Sequence, residues 1–301
     1  MSYSSVNKRL EQVYQTAETL PFSSSSKIVI MSDCHRGQGN TGDNFLQNQN
    51  IFFGALELYY QKGFTYIELG DGDELWENRK IEAIEQMHSD AFWLMSKFYK
   101  HNRFYMLYGN HDIVKSRKSF MQKHCESYYC ESSHRFQSLF PNIEVHQGLV
   151  LQNSETGQEI LLVHGHQGDL LNDTLWPLAR FLVRYVWRPL ETIGFLAPTG
   201  AGRAHKSKDK VERKLASYAS AQKRILIAGH THRPQFPASG EGYYFNDGSC
   251  VHPRCITAIE IQNNQITLVK WAVTTKKDRS LFIGRHVLEG PTDLSEYFTL
   301  D

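Results

Sequence analysis

Five apolar runs of the chain each end in a short motif that combines glycine or cysteine with aspartate, asparagine or histidine. The motifs are Asp33-Cys34-His35, Gly70-Asp71, Gly109-Asn110-His111-Asp112, His164-Gly165-His166 and Gly229-His230-Thr231-His232. The runs have the length of buried strands, and helical patterns separate the first three. Alternating strands and helices predict an α/β fold, in which the carboxyl ends of strands meet at one edge of a sheet. We therefore expect the five motifs to lie close together.

Apolar periodicity predicts helices around these runs, and the region after residue 243 is predicted to be rich in strands. The predicted helices cover residues 6–20, 45–62, 81–100, 114–140 and most of 172–220. We divide the chain into an N-terminal helix and linker (1–26) and a main domain (27–301), which carries a helical cap insertion at 171–222.

Composition places the chain among globular proteins of the cytoplasm. It has no run of 18 apolar residues for a membrane span, and its N-terminus lacks the apolar region of a secretory signal. The five cysteines are spaced unlike a zinc knuckle or a disulfide framework, so we expect reduced thiols.

The residue types in the five motifs point to metal chemistry. Imidazole, carboxylate and amide groups suit divalent ions such as Zn, Fe and Mn, and the scarcity of cysteine argues against a structural thiolate zinc site. The seven candidate ligands are Asp33, His35, Asp71, Asn110, His164, His230 and His232. Seven ligands are too many for one ion and suit two ions about 3.5–4 Å apart that share a carboxylate. His166, Asp73 and Glu74 are expected to be neighbours of the ligands.

The order of the motifs resembles the calcineurin-like metallophosphoesterase superfamily, whose pattern runs D-x-H, G-D, G-N-H-D/E, H and G-H-x-H. The resemblance implies two mixed β-sheets packed as a sandwich with helices on both outer sides (α/β/β/α). It also implies a hydrolase for a phosphomonoester or phosphodiester, acting by in-line attack of a hydroxide that bridges two divalent metal ions (Mn, Fe, Zn or Co).

The same resemblance implies a role for each residue. Asp33, His35 and His232 would hold the first metal ion. Asn110, His164 and His230 would hold the second, and Asp71 would bridge the two. His111 would act near the oxygen of the leaving group, and Asp112 would orient His111.

A basic segment follows the fourth motif. Residues 174–224 contain eleven Lys or Arg and three acidic residues, a net charge of +8, so the remainder carries −7 within the total of +1. Arg180, Arg184 and Arg188 recur every four residues on an apolar predicted helix, and we predict that they bind substrate. A solvated helix face and peripheral contact with an anionic membrane are the alternatives. The lack of aromatic residues outside the first helix argues against a nucleic-acid partner.

Within the superfamily, the chain is similar to the UDP-diacylglucosamine pyrophosphohydrolases. The similar blocks are "GDGDELWE", "LVHGHQGD" and "NDGSCVHPR", and a helical insertion precedes "GHTHRP". That branch commonly has arginine at the position of His111. Three hypotheses stay open: another phosphoester, a nucleotide-lipid of this kind, or a non-catalytic metal-bound scaffold.

Overall fold

The computed structural model describes residues 3–40, 43–130, 134–168 and 201–298, which form two mixed sheets flanked by helices. The helices are α1 Tyr3–Thr16, α2 Gln49–Gln61, α3 Ile81–Met87, α4 Ser89–Lys100, α5 Lys118–His124, α6 Ala201–Gln222 and α7 Ser295–Phe298. The first nine strands are β1 Glu18–Phe22, β2 Lys27–Met31, β3 Thr65–Leu69, β4 Phe104–Leu107, β5 Ser127–Cys130, β6 Arg135–Ser138, β7 Val145–His146, β8 Gly148–Asn153 and β9 Glu159–Val163. The others are β10 Ile225–Ala228, β11 Tyr244–Asn246, β12 Cys255–Gln262, β13 Gln265–Thr275 and β14 Leu281–Asp293.

The seven-stranded sheet has the order β14-β13-β12-β2-β3-β4-β7. Strands β2, β3 and β4 run parallel, with Ile30 opposite Ile67 and Ile67 opposite Tyr105. Their side chains are buried on both faces, one against the other sheet and one against α2 and α4. Burial on both faces explains why these strands appear in the sequence as continuous apolar runs. The first three motifs follow the carboxyl ends of these strands.

The five-stranded sheet has the order β1-β8-β9-β10-β11 and supplies the other two motifs. Strands β9 and β10 are parallel, with Leu161 opposite Leu226. They pack across the core against residues of the first sheet such as Ile30 and Leu69. The predicted sandwich of two mixed sheets is therefore confirmed.

The N-terminal segment differs from its prediction. Helix α1 ends at Thr16, and residues 18–22 form an edge strand parallel to β8, with Leu20 opposite Leu151. Val6 and Leu10 of helix α1 are buried in the same apolar cluster as β8 and β9. A linker was expected after the helix, but pairing with β8 outweighs the local preference of this segment because it satisfies the backbone hydrogen bonds.

Two predicted helices are also interrupted. The helix predicted over 114–140 is wrong after residue 124, because β5 and β6 form an antiparallel hairpin there. This segment contains several aromatic residues, which favour strands. The helix predicted over 81–100 breaks at His88, whose buried Nε2 lies 2.8 Å from Asp43 Oδ2.

The predicted cap is described only from residue 201 onward. There, α6 buries Leu215, Tyr218 and Ala219 against the core, so this part is a helix of the sandwich itself. Arg180, Arg184 and Arg188 lie outside the described residues. Among the helices that the structure describes, none is long and apolar enough to cross a membrane. All five cysteines are free thiols, as predicted.

Candidate metal centre

The loops after β2, β3, β4, β9 and β10 meet at one edge of the two sheets. Asp33 Oδ1 lies 3.1 Å from His232 Nε2, and Asp71 Oδ2 lies 3.1 Å from His164 Nε2. His35 Nε2 connects these two pairs, at 3.6 Å from Asp33 Oδ1 and 3.9 Å from Asp71 Oδ2. Five of the seven candidate ligands thus lie close together.

The potential ligand atoms fall into overlapping groups, each within 4.8 Å. Two of the groups are Asp33 with His35 and His232, and Asp71 with His164 and His230. These are the sets expected for the two metal ions, with the shared carboxylate in the second. A third group joins His35, Asp71 and His111. Asn110 is 1% exposed.

Five of the seven candidate ligands have left-handed backbone conformations. They are Asp33 (φ 52°), His35 (φ 47°), Asp71 (φ 50°), His230 (φ 67°) and His232 (φ 57°). A residue with a side chain avoids this region, at a cost of about 1–3 kcal/mol where it is strained. Such a concentration of strain is typical of functional sites.

Glycine allows the loops to approach each other. Gly70 has φ 89°, and a Cβ there would lie 2.7 Å from His164 Nδ1 and 2.8 Å from the backbone nitrogen of Gly109. At Gly109, a Cβ would lie 2.6 Å from the backbone nitrogen of Asp71. Any larger residue would push the candidate ligands apart.

Hydrogen bonds orient the ligands from outside the cluster. His164 Nδ1 donates to the carbonyl oxygen of Leu69 at 2.9 Å, so Nε2 is the nitrogen that would coordinate a metal ion. Oδ2 of Asp33 accepts from Ser32 Oγ at 2.5 Å and from the His230 amide at 2.8 Å. These contacts leave Asp33 Oδ1 for the interior of the cluster.

The potential ligand atoms of the cluster are of the kind that binds cations. Asp33 Oδ1, Asn110 Oδ1 and His164 Nε2 are buried, and none of them makes a well-aligned hydrogen bond with the described residues, although the first and third have polar neighbours at 3.1 Å. His35 Nε2 and His232 Nε2 face each other at 3.3 Å. Unpaired acceptor atoms are costly to bury, and a bound cation would satisfy them. Carboxylate, amide and imidazole donors in this number suit two divalent ions.

Electrostatics keeps the carboxylate ligands ionised, but it also favours the proton on one ligand histidine. Burial lowers the pKa of His164, but Asp71 and Asp33 outweigh it and raise that pKa to about 9, so a bound metal ion would displace a proton from this ring. Burial raises the pKa of Asp33, but His232 and His164 outweigh it and hold that pKa well below its usual range. Burial also raises the pKa of Asp71, but the neighbouring His164 and His111 outweigh it, so the pKa of Asp71 is lowered as well. Burial and the neighbouring His164 lower the pKa of His230 to about 3, so this imidazole is neutral.

His111 sits beside the cluster and is held by two side chains. Its Nδ1 lies 2.7 Å from Glu74 Oε2, and its ring stacks on Trp76 at 4.2 Å between centroids. The same Glu74 oxygen lies 3.0 Å from Nδ1 of His35. Glu74 therefore fixes the orientation of a candidate ligand and of His111 at once.

Asp112, the residue predicted to orient His111, has other contacts in the structure. Its Oδ1 accepts from the Gly109 amide at 2.7 Å, and its Oδ2 accepts from the Gly72 amide at 3.1 Å. Lys115 Nζ lies 3.1 Å from the same Oδ2. Asp112 thus ties two site loops together, while Glu74 contacts His111. The position of Glu74, three residues after Asp71 in a carboxylate-rich turn, was the available sequence signal.

Comparison with known protein families decides what kind of protein carries this site. The family model described as calcineurin-like phosphoesterase matches residues 26–234, more than half of the chain. The chain belongs to the calcineurin-like phosphoesterase family. The superfamily resemblance drawn from the motifs is confirmed, whereas the UDP-diacylglucosamine branch stays a prediction.

Two further comparisons concern solved structures and curated proteins. Among 23 matching chains of solved structures is the crystal structure of Chaetomium thermophilum Vps29. It is 11% identical, with a TM-score of 0.36, over 88% of this chain and 96% of that chain. A comparison with curated proteins found no significant match.

A buried network of ion pairs connects the loops that carry the candidate ligands. Arg36 Nε donates to Asp73 Oδ1 at 2.7 Å, and Arg36 Nη2 donates to Glu68 Oε1 at 2.6 Å. Lys115 Nζ contacts Asp73 Oδ2 at 2.5 Å and also reaches Asp112. Because all of these groups are paired, the network can hold the loops after β2, β3 and β4 in one arrangement.

His166, expected beside the ligands, is 1% exposed, and its ring lies 5.6 Å from that of His164. Burial and the neighbouring His164 hold its pKa well below the usual value, so the ring is neutral.

Proposed function

We propose that this chain hydrolyses a phosphomonoester or a phosphodiester with the help of two divalent metal ions. The observation that carries the proposal is the set of overlapping groups of candidate ligand atoms from Asp33 to His164 beside His111, in which Asp33 Oδ1 and His164 Nε2 are buried without a well-aligned hydrogen bond. Membership of the calcineurin-like phosphoesterase family supports the reaction class.

The chain's own residues supply the positions that this reaction needs. Asp33, His35 and His232 would hold one ion, Asn110, His164 and His230 the other, and Asp71 both. When bound, such ions bind phosphoryl oxygens and can lower the pKa of water from 15.7 to about 7.

His111 supplies the proton for the leaving group in this proposal. Its Nδ1 is occupied by Glu74, so Nε2 is the nitrogen that can face the departing oxygen. Burial lowers the pKa of His111, but Glu74 and Asp71 outweigh it and raise that pKa above its usual value. A protonated imidazole near neutral pH can act as a general acid. Trp76, stacked on the ring, limits its rotation.

The finer substrate assignment is open to test. UDP-diacylglucosamine is a candidate because of the resemblance in three sequence blocks, and Arg180, Arg184 and Arg188 would then bind its phosphates. In that case the basic segment would also contact an anionic membrane from the cytoplasm. The presence of both ligand sets and of His111 favours catalysis over a purely scaffolding role.

The experiment is turnover by Mn-loaded protein on three substrates: an aryl phosphomonoester, an aryl phosphodiester and UDP-diacylglucosamine. The Asn110→Ala variant should lose one metal ion, and His111→Ala should keep both and turn over slowly. Preference for the UDP-lipid would establish that branch, and activity on the simple esters alone would exclude it. No turnover on any of them, with two metals bound, would favour the scaffold.

A further inference from the structure

A groove with a cavity volume of about 390 Å³ is lined by the loop after β3 and by residues between 114 and 124. Its lining includes Leu75, the residue after Glu74, and Val114, which lies three residues beyond His111. The chain segments that orient His111 thus continue directly into the groove. We call this feature the basic groove.

The charge of the basic groove has one sign. Arg79, Arg117 and Lys123 line it, and none of the described residues along its lining is acidic. His124 also lines it, but its Nδ1 lies 2.5 Å from Glu82 Oε1, which balances any charge on this ring. Three permanent cations around one concave surface create a positive potential that attracts anions.

The remaining lining combines three apolar residues with the polar Asn78 and Ser119. Leu75 is 3% exposed, and Phe120 and Val114 are partly buried beside it. A concave surface with an apolar floor and a few convergent charges is the usual form of a site for a small organic ligand. Arginine in particular binds phosphate through two parallel hydrogen bonds. Phosphate attached to an organic group matches both features.

We propose that the basic groove binds a second phosphate carried by the leaving group of the substrate. The inference rests on the proposed function, because His111 defines the leaving-group side. It narrows the substrate class to soluble phosphoesters whose leaving group is itself phosphorylated. The arginines of the cap segment play no part in it.

The test compares two substrates that differ by one phosphate: adenosine 3′,5′-bisphosphate and adenosine 5′-monophosphate. Mn-loaded wild-type protein should show a kcat/KM about tenfold higher for the bisphosphate, the contribution of about two charge-assisted contacts that are partly exposed to solvent. The double variant Arg117→Gln/Lys123→Gln should lose most of this preference.

A matched control removes the same charge elsewhere. Lys118 lies on the same helix, is 81% exposed, and contacts Glu144 at 3.2 Å outside the basic groove. Lys100 is exposed at the end of α4. The double variant Lys118→Gln/Lys100→Gln should keep the preference for the bisphosphate.

A binding measurement separates this inference from the proposed function. Protein freed of metal with EDTA should bind adenosine 3′,5′-bisphosphate in calorimetry, and Arg117→Gln/Lys123→Gln should bind it about tenfold more weakly. Failure to hydrolyse either nucleotide would count against the proposed phosphomonoesterase activity. The calorimetry would then be the test of whether the basic groove binds the bisphosphate. The inference is overturned if wild-type protein binds no bisphosphate, or if the groove variant binds it as tightly as wild type.

Discussion

Replacing Glu74 with glutamine should lower turnover by about 10- to 160-fold, the equivalent of about 1.5–3 kcal/mol for one hydrogen bond to a charged group. Oε2 of Glu74 lies 2.7 Å from His111 Nδ1, and the side chain is only 4% exposed, so water cannot readily replace it. Glutamine keeps the volume of the side chain and removes its charge. The expected loss comes from an imidazole that is no longer held in one orientation and charge state.

The assay is steady-state hydrolysis of an aryl phosphomonoester at saturating Mn, with metal content measured on the same samples. We expect kcat to fall and KM to change little, because Glu74 does not touch the substrate. Glu74→Asp should recover part of kcat, since it restores the charge. Metal content must be included because Glu74 Oε2 also lies 3.0 Å from Nδ1 of His35.

Asp112→Asn is the matched comparison, because Asp112 is the buried carboxylate that the family resemblance implied would orient His111. Its oxygens accept from the backbone amides of Gly109 and Gly72, so we expect this variant to lose stability more than turnover per metal-loaded molecule. Wild-type kcat in Glu74→Gln with both metals bound would refute the role that we assign to Glu74. Loss of kcat in Asp112→Asn alone would return that role to Asp112.

The remaining predictions concern stability and metal binding. Arg36→Met should cost about 3–5 kcal/mol in urea unfolding, because it leaves Glu68 and Asp73 buried without their partner; a loss below about 1 kcal/mol would contradict this. Burial and, to a smaller extent, the charge of Asp73 raise the pKa of Glu85 to about 8. Between about pH 4.5 and 8 Glu85 is therefore ionised in the unfolded chain but protonated in the native state, so the native state loses stability as the pH rises. Glu85→Gln should therefore gain stability over wild type by about 2–3 kcal/mol more at pH 8 than at pH 6, and an equal difference at both pH values would exclude the effect. Removing metal should lower the melting temperature of wild type, and Mn should restore it through preferential binding to the folded chain. Asn110→Ala should show a smaller rise with Mn, and an equal rise would argue against its place among the ligands.

Strands β2, β3, β4, β9 and β10 could be predicted because each is a short apolar run that ends in a polar motif. The same local pattern identified all seven candidate ligands. The two sheets then bring these strand ends together, as the rule for the carboxyl edge of α/β sheets requires. Family membership was also predictable, since it depends on the order of the motifs.

Other features depend on contacts between distant segments. Residues 18–22 become a strand because β8 offers an edge with which they pair, and no local signal reports that edge. The hairpin of β5 and β6 replaces a predicted helix for a similar reason, because each strand satisfies the backbone of the other. Periodicity within one segment cannot reveal a partner that lies elsewhere in the chain.

The sequence by itself determined which residues are candidate metal ligands and at which strand ends they lie, because ligand chemistry and apolar runs are local properties. Only the tertiary structure decided that Glu74 contacts His111 and that Asp112 binds backbone amides instead. It also decided that three cations between residues 79 and 123 line one groove. Such relations depend on side-chain directions across separate loops, which are set by packing and not by spacing along the chain.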